Sequence, residues 1–166
     1  MSSVLGGAQN VAAAQYSSVV AGRSNQVTAN YTTILGGQSN TTTGNYSTIV
    51  GGSSNQTDAP YSGIIGGQTN VTSGGWSVIV SGENNGTNGR HSSVVSGTSN
   101  LTGGDYSTII SGEDNETTGS RSCVISGGNH DTIGAQSVVV SGYNNEPSGA
   151  QSVIVAGGGN RTLGPK

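Results

Sequence analysis

The chain repeats with a fixed period of fifteen residues, and this periodicity limits the possible folds more than any other feature. Eleven copies, from 1–15 to 151–165, follow one another with no residue inserted or lost, and only Lys166 is left over. Positions within a copy are called place zero to place fourteen, with Met1 at place zero. Such a period is typical of solenoids, whose repeats bury their apolar faces by stacking on neighbours. We therefore predict a single solenoid over residues 1–165 and, because neither terminal copy departs from the pattern, a fragment of a longer fibre.

Composition supports this class and argues against several functions. Glycine accounts for 30 of 166 residues, charged residues for 8%, and phenylalanine is absent, so the chain lacks the large side chains of an ordinary globular core. A net charge of −3 offers no basic surface for nucleic acid. No apolar run is long enough to enter a membrane, and the single cysteine cannot form a disulfide within the chain.

Two short strands are predicted in each copy. Places one to five form a β-branched run closed by glycine at place six, as in 107–112, and places eight to eleven form a second run, as in 54–57. Because side chains alternate along a strand, those at places one, three and five, and those at places nine and eleven, should point inside the coil. The predicted fold class is all-β, a parallel β-solenoid of eleven fifteen-residue coils.

Place nine is asparagine in every copy except at His130. Coils stack about 4.8 Å apart, so asparagine above asparagine can bond amide to amide along the axis. The predicted structural ladder consists of Asn10, Asn25, Asn40, Asn55, Asn70, Asn85, Asn100, Asn115, Asn145 and Asn160.

Place four is Val, Ile or Leu in every copy and should point outward, which leaves both faces of the first strand apolar. Long exposed apolar columns are rare on monomers, so this one predicts self-association. Cys123, at place two, should share that side of the coil. The predicted interface residues are Val20, Leu35, Val50, Ile65, Val80, Val95, Ile110, Cys123, Ile125, Val140 and Val155.

The run Ser-Val-Ile-Val-Ala-Gly at 152–157, followed by Asn160 and Gly164, resembles the head repeats of YadA-type trimeric autotransporter adhesins. Similar repeats occur in the shafts of phage tail fibres and tailspikes. The resemblance covers the whole chain, although adhesin heads usually have a period one residue shorter and carry alanine where this chain has threonine. It implies a left-handed β-roll and a homotrimer at an extracellular surface, either the bacterial outer surface or a virion.

The leading functional hypothesis is therefore a structural trimeric fibre or head segment that presents, or contributes to, host or receptor attachment. The alternative is an ice-binding solenoid, because fifteen-residue β-solenoids with threonine arrays resemble insect antifreeze proteins. Ice binding needs a regular exposed threonine column, whereas places ten and twelve are irregular and partly charged. Thermal hysteresis of a dilute sample distinguishes the two hypotheses.

An enzyme is not expected. The sequence contains no Ser-His-Asp arrangement, no Cys/His metal spacing and no phosphate loop, so we predict neither a cofactor nor a metal. A polysaccharide-cleaving enzyme, the third hypothesis, would need an acidic cleft that the sequence does not indicate.

Place zero is aromatic through much of the chain, which has two interpretations. The rings form either a track that stacks on sugars of a host glycan or matrix protein, or a structural ladder at the rim of the subunit interface. The candidate residues are Tyr16, Tyr31, Tyr46, Tyr61, Trp76 and Tyr106, with His91 standing between the last two.

Overall fold

The computed structural model describes residues 1–164; Pro165, the end of the predicted last copy, and the leftover Lys166 lie outside the described residues. The predicted fold class is confirmed: the described chain is an all-β solenoid of parallel strands, with one coil for each fifteen-residue copy. Residues pair with their equivalents fifteen positions along the chain, as Ser3 does with Ser18 and Val4 with Val19. The sequence period is therefore one turn of the solenoid.

Each coil contributes two strands of two residues, at places two and three and at places ten and eleven. In chain order, β1 to β22 are Ser3–Val4, Val11–Ala12, Ser18–Val19, Gln26–Val27, Thr33–Ile34, Thr41–Thr42, Thr48–Ile49, Gln56–Thr57, Gly63–Ile64, Val71–Thr72, Val78–Ile79, Gly86–Thr87, Ser93–Val94, Leu101–Thr102, Thr108–Ile109, Glu116–Thr117, Cys123–Val124, Asp131–Thr132, Val138–Val139, Glu146–Pro147, Val153–Ile154 and Arg161–Thr162.

The strands assemble into three parallel sheets. The odd-numbered strands form one sheet of eleven, from β1 to β21. The even-numbered strands form a sheet of nine, from β2 to β18, and a separate pair, β20 and β22. The interruption lies between Asp131–Thr132 and Glu146–Pro147, where Pro147 brings no backbone N–H to the ladder.

Place seven forms a third ladder that the sequence did not predict. Single-residue parallel bridges connect this place in consecutive coils, beginning with Ala8 to Arg23 and ending with Tyr143 to Gly158. The predicted second strand is correspondingly shorter than expected, because place eight, its first residue, interrupts the extended backbone. Non-glycine residues at this place have φ between 53° and 60°, in the left-handed region.

The left-handed corners at places eight and zero donate backbone hydrogen bonds to the preceding coil. At place two the backbone N–H donates to the following coil, as Ser18 does to the carbonyl of Thr32 at 2.9 Å. At place eight the N–H donates to the preceding coil instead, as Ser39 does to Arg23 at 2.9 Å. Place zero does the same, with Tyr31 donating to Gln15 at 3.0 Å. Every coil is thus bonded in both directions at its corners.

The core is a single column of aliphatic side chains from place three, with Val27 beside it. Its members are Val19, Ile34, Ile49, Ile64, Ile79, Val94, Ile109, Val124, Val139 and Ile154. Val4, the equivalent residue of the first coil, is exposed. Places one, nine and eleven complete the interior with serine, asparagine and threonine.

The expectation that place five points inward is wrong, because no residue at this place is buried. Alternation holds along the strand itself and then fails where the chain turns. Glycine at place six has φ from 86° to 116°, a conformation open to glycine and strained for other residues. Place five therefore lies at the start of the turn, where the strand alternation no longer applies.

Adjacent glycines at places five and six provide a matched test of this turn. At Gly67 a Cβ would lie 2.2 Å from the carbonyl oxygen of Gly82 and 2.6 Å from Nδ2 of Asn70, whereas at Gly66 it would meet nothing within 4 Å. We expect Gly67→Ala to lower the free energy of unfolding by about 1–2 kcal/mol from the left-handed backbone alone, and by more because of these two contacts. Gly66→Ala should leave it nearly unchanged. Denaturant unfolding at one protein concentration measures both, and equal effects would contradict the assignment.

Candidate functional site

The predicted asparagine ladder is a continuous hydrogen-bonded column inside the coil. In each link between two asparagines, side-chain Oδ1 accepts the backbone N–H of the next asparagine, as Asn85 Oδ1 does from Asn100 at 3.0 Å. Nδ2 donates to the place-six glycine of the next coil, as Asn85 does to the Gly97 carbonyl at 2.9 Å. Amide-to-amide bonds occur as well, for instance from Asn100 Nδ2 to Asn85 Oδ1 at 3.1 Å.

The ladder is buried except at its ends. Asn10, in the first coil, is half-buried and Asn160, in the last, is exposed, but both keep their bonds to neighbouring coils. The other eight predicted asparagines are buried. Their role in the described chain is to join coils, because their polar atoms are occupied by protein partners.

His130 takes the place of asparagine within this column. Its backbone N–H donates to Asn115 Oδ1 at 3.0 Å, and its Nδ1 accepts the backbone N–H of Asn145 at 3.1 Å. Nδ1 therefore substitutes for Oδ1, which requires the neutral ring with its proton on Nε2. Burial lowers the pKa of His130, although the nearby carbonyl groups of Ser126 and Gly142 oppose this shift.

The place-zero aromatics form a stack on the outside of one corner. Seven rings follow one another from Tyr16 to Tyr106, including Trp76 and His91, with centroids 4.8–5.2 Å apart and planes within 14° of parallel. Each aromatic pair contributes about 0.5–1.5 kcal/mol beyond its buried area. We call these seven residues the aromatic stack.

Backbone geometry fixes the rings in this stack. Place-zero residues from Tyr16 onwards have φ between 54° and 60°, which is unusual for bulky side chains. The N–H of Tyr61 donates to Asn45 at 2.9 Å and that of Trp76 to Pro60 at 3.1 Å, so each ring is tied to the preceding coil. The corner thus repeats identically and brings the rings into register.

The stacking geometry limits how the aromatic residues can contact a sugar. A sugar packs on a ring face, but inside the stack both faces are covered by neighbouring rings. At the end of the stack the guanidinium of Arg121 lies 5.8 Å from the centroid of Tyr106. Because the rings remain roughly half exposed, their accessible parts are edges and polar atoms, which favours hydrogen bonding over sugar stacking.

The place-four side chains lie on the outside of the first strand, as the alternation predicts. Seven of the predicted interface residues, including Ile65 and Ile110, are 37–50% exposed in the single chain. Val80 and Val140 are half-buried, and Val155 near the end is more exposed. Cys123 is also half-buried, and burial raises the pKa of its thiol.

Groups of side chains that could hold a metal are lacking in the part of the chain that the structure describes. His91 belongs to the aromatic stack and His130 to the asparagine ladder, on different parts of the coil. Residues 1–164 contain no group of three His, Cys, Asp or Glu side chains that could hold a metal, and they form no pocket. Within the same range no helix is long and apolar enough to cross a membrane.

Two features of these surfaces could not be found by sequence reasoning alone. The left-handed corner at place eight had a weak signal, because Ser, Asn and Asp, which often occupy turns, are common there. The corner at place zero had none, since aromatic residues do not favour that conformation.

The chain matches no known protein-family model and no curated protein sequence.

The asparagine ladder predicts that alanine substitution of two different asparagines will change the free energy of unfolding by very different amounts. Asn100→Ala removes the acceptor for the Asn115 N–H and the donor to the Gly112 carbonyl, all in buried surroundings. We expect a loss of at least about 2 kcal/mol in the free energy of unfolding, since each unpaired buried group costs about 1–3 kcal/mol. Asn88→Ala, at an exposed place-twelve position, should change it by less than about 0.5 kcal/mol. Denaturant unfolding compares the two, and similar losses would contradict the ladder's role.

His130 should make stability depend on pH. Its pKa is lowered on folding, so the unfolded chain binds the proton more readily, and stability is full above the ordinary value of about 6.5 and falls as pH drops below it. We expect the thermal midpoint of the natural chain to fall between pH 7.5 and 5 more than that of His130→Asn. Asp131, whose pKa is raised by burial and by Glu146, acts in the opposite direction at lower pH, but it is present in both proteins. Parallel midpoints would contradict the prediction.

Proposed function

We propose that the chain is a rigid structural segment of a trimeric surface fibre or adhesin head, on a bacterial outer surface or a virion. In this role it presents, or contributes to, attachment to a host or receptor. The observation that carries the proposal is the outward apolar column at place four, together with the absence of charge around it.

Charge is distributed very unevenly around the coil. In all eleven copies, places one to six contain no Asp, Glu, Lys or Arg. Charged side chains occur instead at place seven, as Arg23, Glu83 and Glu113, and at place ten, as Glu116, Asp131, Glu146 and Arg161. Loss of charge at the centre of a surface is typical of protein–protein interfaces. The uncharged face is the one that bears the place-four column.

Small side chains border the apolar column on both sides and would let a second chain approach closely. Place two is mostly Ser, Thr or Val, with Gly63 and Cys123, and place five is Gly, Ala or Ser throughout. Place-four residues are already partly covered within one chain, so association buries about 40% of each side chain. At about 1.5–3 kcal/mol for full burial, each contributes about 0.6–1.2 kcal/mol. The gain recurs in every coil.

The number of chains, three, comes from the resemblance to adhesin heads. Eleven coils at about 4.8 Å make a rod roughly 50 Å long. Three such rods side by side give a stiff spacer that can present several copies of a binding surface at once. In this proposal the partners are two further copies of the chain, and a host glycan or matrix protein contacted along the flanks.

Charge placed in the apolar column tests the association. We expect the natural chain to sediment as a trimer and Ile65→Lys/Ile110→Lys to lose the trimer, because both lysines would have to be buried without partners. Gln68→Lys/Thr98→Lys is the matched control, since these place-seven residues are exposed and lie next to Glu83 and Glu113. It should remain trimeric. A folded monomer of the natural chain at every concentration, or a trimer of the Ile variant, would overturn the proposal.

The labelling rate of the Cys123 thiol gives a second test of the proposed trimer. If the outward columns meet at the trimer axis, its raised pKa and its burial between chains should make thiol labelling slow in the natural protein. Labelling should become faster in Ile65→Lys/Ile110→Lys and stay slow in the control pair. Rapid labelling of the native protein at all concentrations would contradict the convergent arrangement.

A further inference from the structure

Four consecutive members of the aromatic stack are tyrosines in neighbouring coils. The ring centroids of Tyr16 and Tyr31 are 4.9 Å apart, those of Tyr31 and Tyr46 are 4.8 Å apart, and those of Tyr46 and Tyr61 are 4.9 Å apart. Their planes are within 13° of parallel. Equivalent atoms of adjacent phenols therefore lie about one coil spacing from one another.

We propose that Tyr16, Tyr31, Tyr46 and Tyr61 are an oxidative modification site, in which one-electron oxidation joins the rings of neighbouring coils as dityrosine. The proposal concerns one chain and does not depend on the proposed trimer. The link is a bond between the ring carbons next to each phenol oxygen.

The stack satisfies the two requirements of this coupling, access and proximity. The four side chains are 48–60% exposed, so a one-electron oxidant can reach them. Each ring is held in place by its left-handed corner, so two oxidised rings are neighbours before they react. The next ring after Tyr61 in the stack is that of Trp76, which carries no phenol, so the run of adjacent tyrosines ends there.

The chemistry balances with a peroxide as the final oxidant. Each phenol loses one electron and its hydroxyl proton, giving two phenoxyl radicals. The radicals combine through their ortho carbons, and the two hydrogens at those carbons move to the oxygens through solvent, restoring both phenols. A haem peroxidase passes the two electrons to hydrogen peroxide, which with the two released protons becomes two molecules of water. The pair of tyrosines loses two hydrogen atoms in total.

A dityrosine link would join coils covalently outside the core. It would close a loop of one repeat, in the manner of a short disulfide loop, and restrict the unfolded chain. Oxidation would therefore stabilise the four coils that contain Tyr16 to Tyr61 against denaturant. The rest of the solenoid would be unchanged.

The other two tyrosines allow a matched experiment. Tyr143 lies outside the stack and is 62% exposed, and Tyr106 is separated from Tyr61 by Trp76 and His91. The variant Tyr31→Phe/Tyr61→Phe keeps six-membered rings in the stack but leaves no two tyrosines in adjacent coils. Tyr106→Phe/Tyr143→Phe removes the same number of phenols and retains all three adjacent pairs.

The natural 166-residue chain and both variants are treated at low concentration with a haem peroxidase and hydrogen peroxide. Dityrosine is measured by its fluorescence and located by peptide mass spectrometry. We expect the natural chain and Tyr106→Phe/Tyr143→Phe to give similar yields, with links between tyrosines fifteen residues apart. Tyr31→Phe/Tyr61→Phe should lose most of the signal. Equal yield in that variant, links mainly to Tyr143 or between identical positions of different chains, or no dityrosine in the natural chain would overturn the proposal.

Discussion

The close approach of each place-six glycine to the next coil is the constraint on which the rest of the structure depends. The carbonyl of Gly97 accepts the backbone N–H of Glu83 at 3.0 Å and Nδ2 of Asn85 at 2.9 Å. One carbonyl thus joins the place-seven ladder to the asparagine ladder. A Cβ at Gly82 would lie 2.2 Å from this carbonyl oxygen and 2.5 Å from Asn85 Nδ2, so glycine at place six and asparagine at place nine belong to one interaction. An insertion within a coil would break it.

This interaction explains how a chain with so few large apolar residues maintains one register. The aliphatic core is a single column, and serine, threonine and asparagine fill most of the remaining interior. Some internal hydroxyls pair across the coil, as Ser77 does with Thr87 at 2.9 Å, whereas the buried hydroxyls of Thr57 and Thr72 have no partner among the described residues. Buried polar groups are costly when unpaired, so the bonded asparagine column favours the in-register stack over a shifted one.

Regular stacking inside the coil has consequences outside it. Because every corner repeats, place-zero rings are brought face to face and place-four side chains form one straight column. The first arrangement covers ring faces and underlies the proposed oxidative coupling. The second produces the uncharged apolar face on which the proposed association rests. His130 shows that the interior tolerates a substitution when the new side chain offers an acceptor in the same position.

The sequence by itself determined the period, the solenoid class and the inward positions of the aliphatic column and of asparagines such as Asn85. These follow from strand alternation and from equivalence between copies, which are local properties visible in the residues. Only the tertiary structure decided the left-handed corners at places zero and eight, the third ladder, the outward position of place five and the stacking of the rings. They depend on the path of the backbone between coils, where bonds are made to residues one repeat away. Aromatic side chains at place zero carry no preference for that backbone, so no residue pattern could have indicated it.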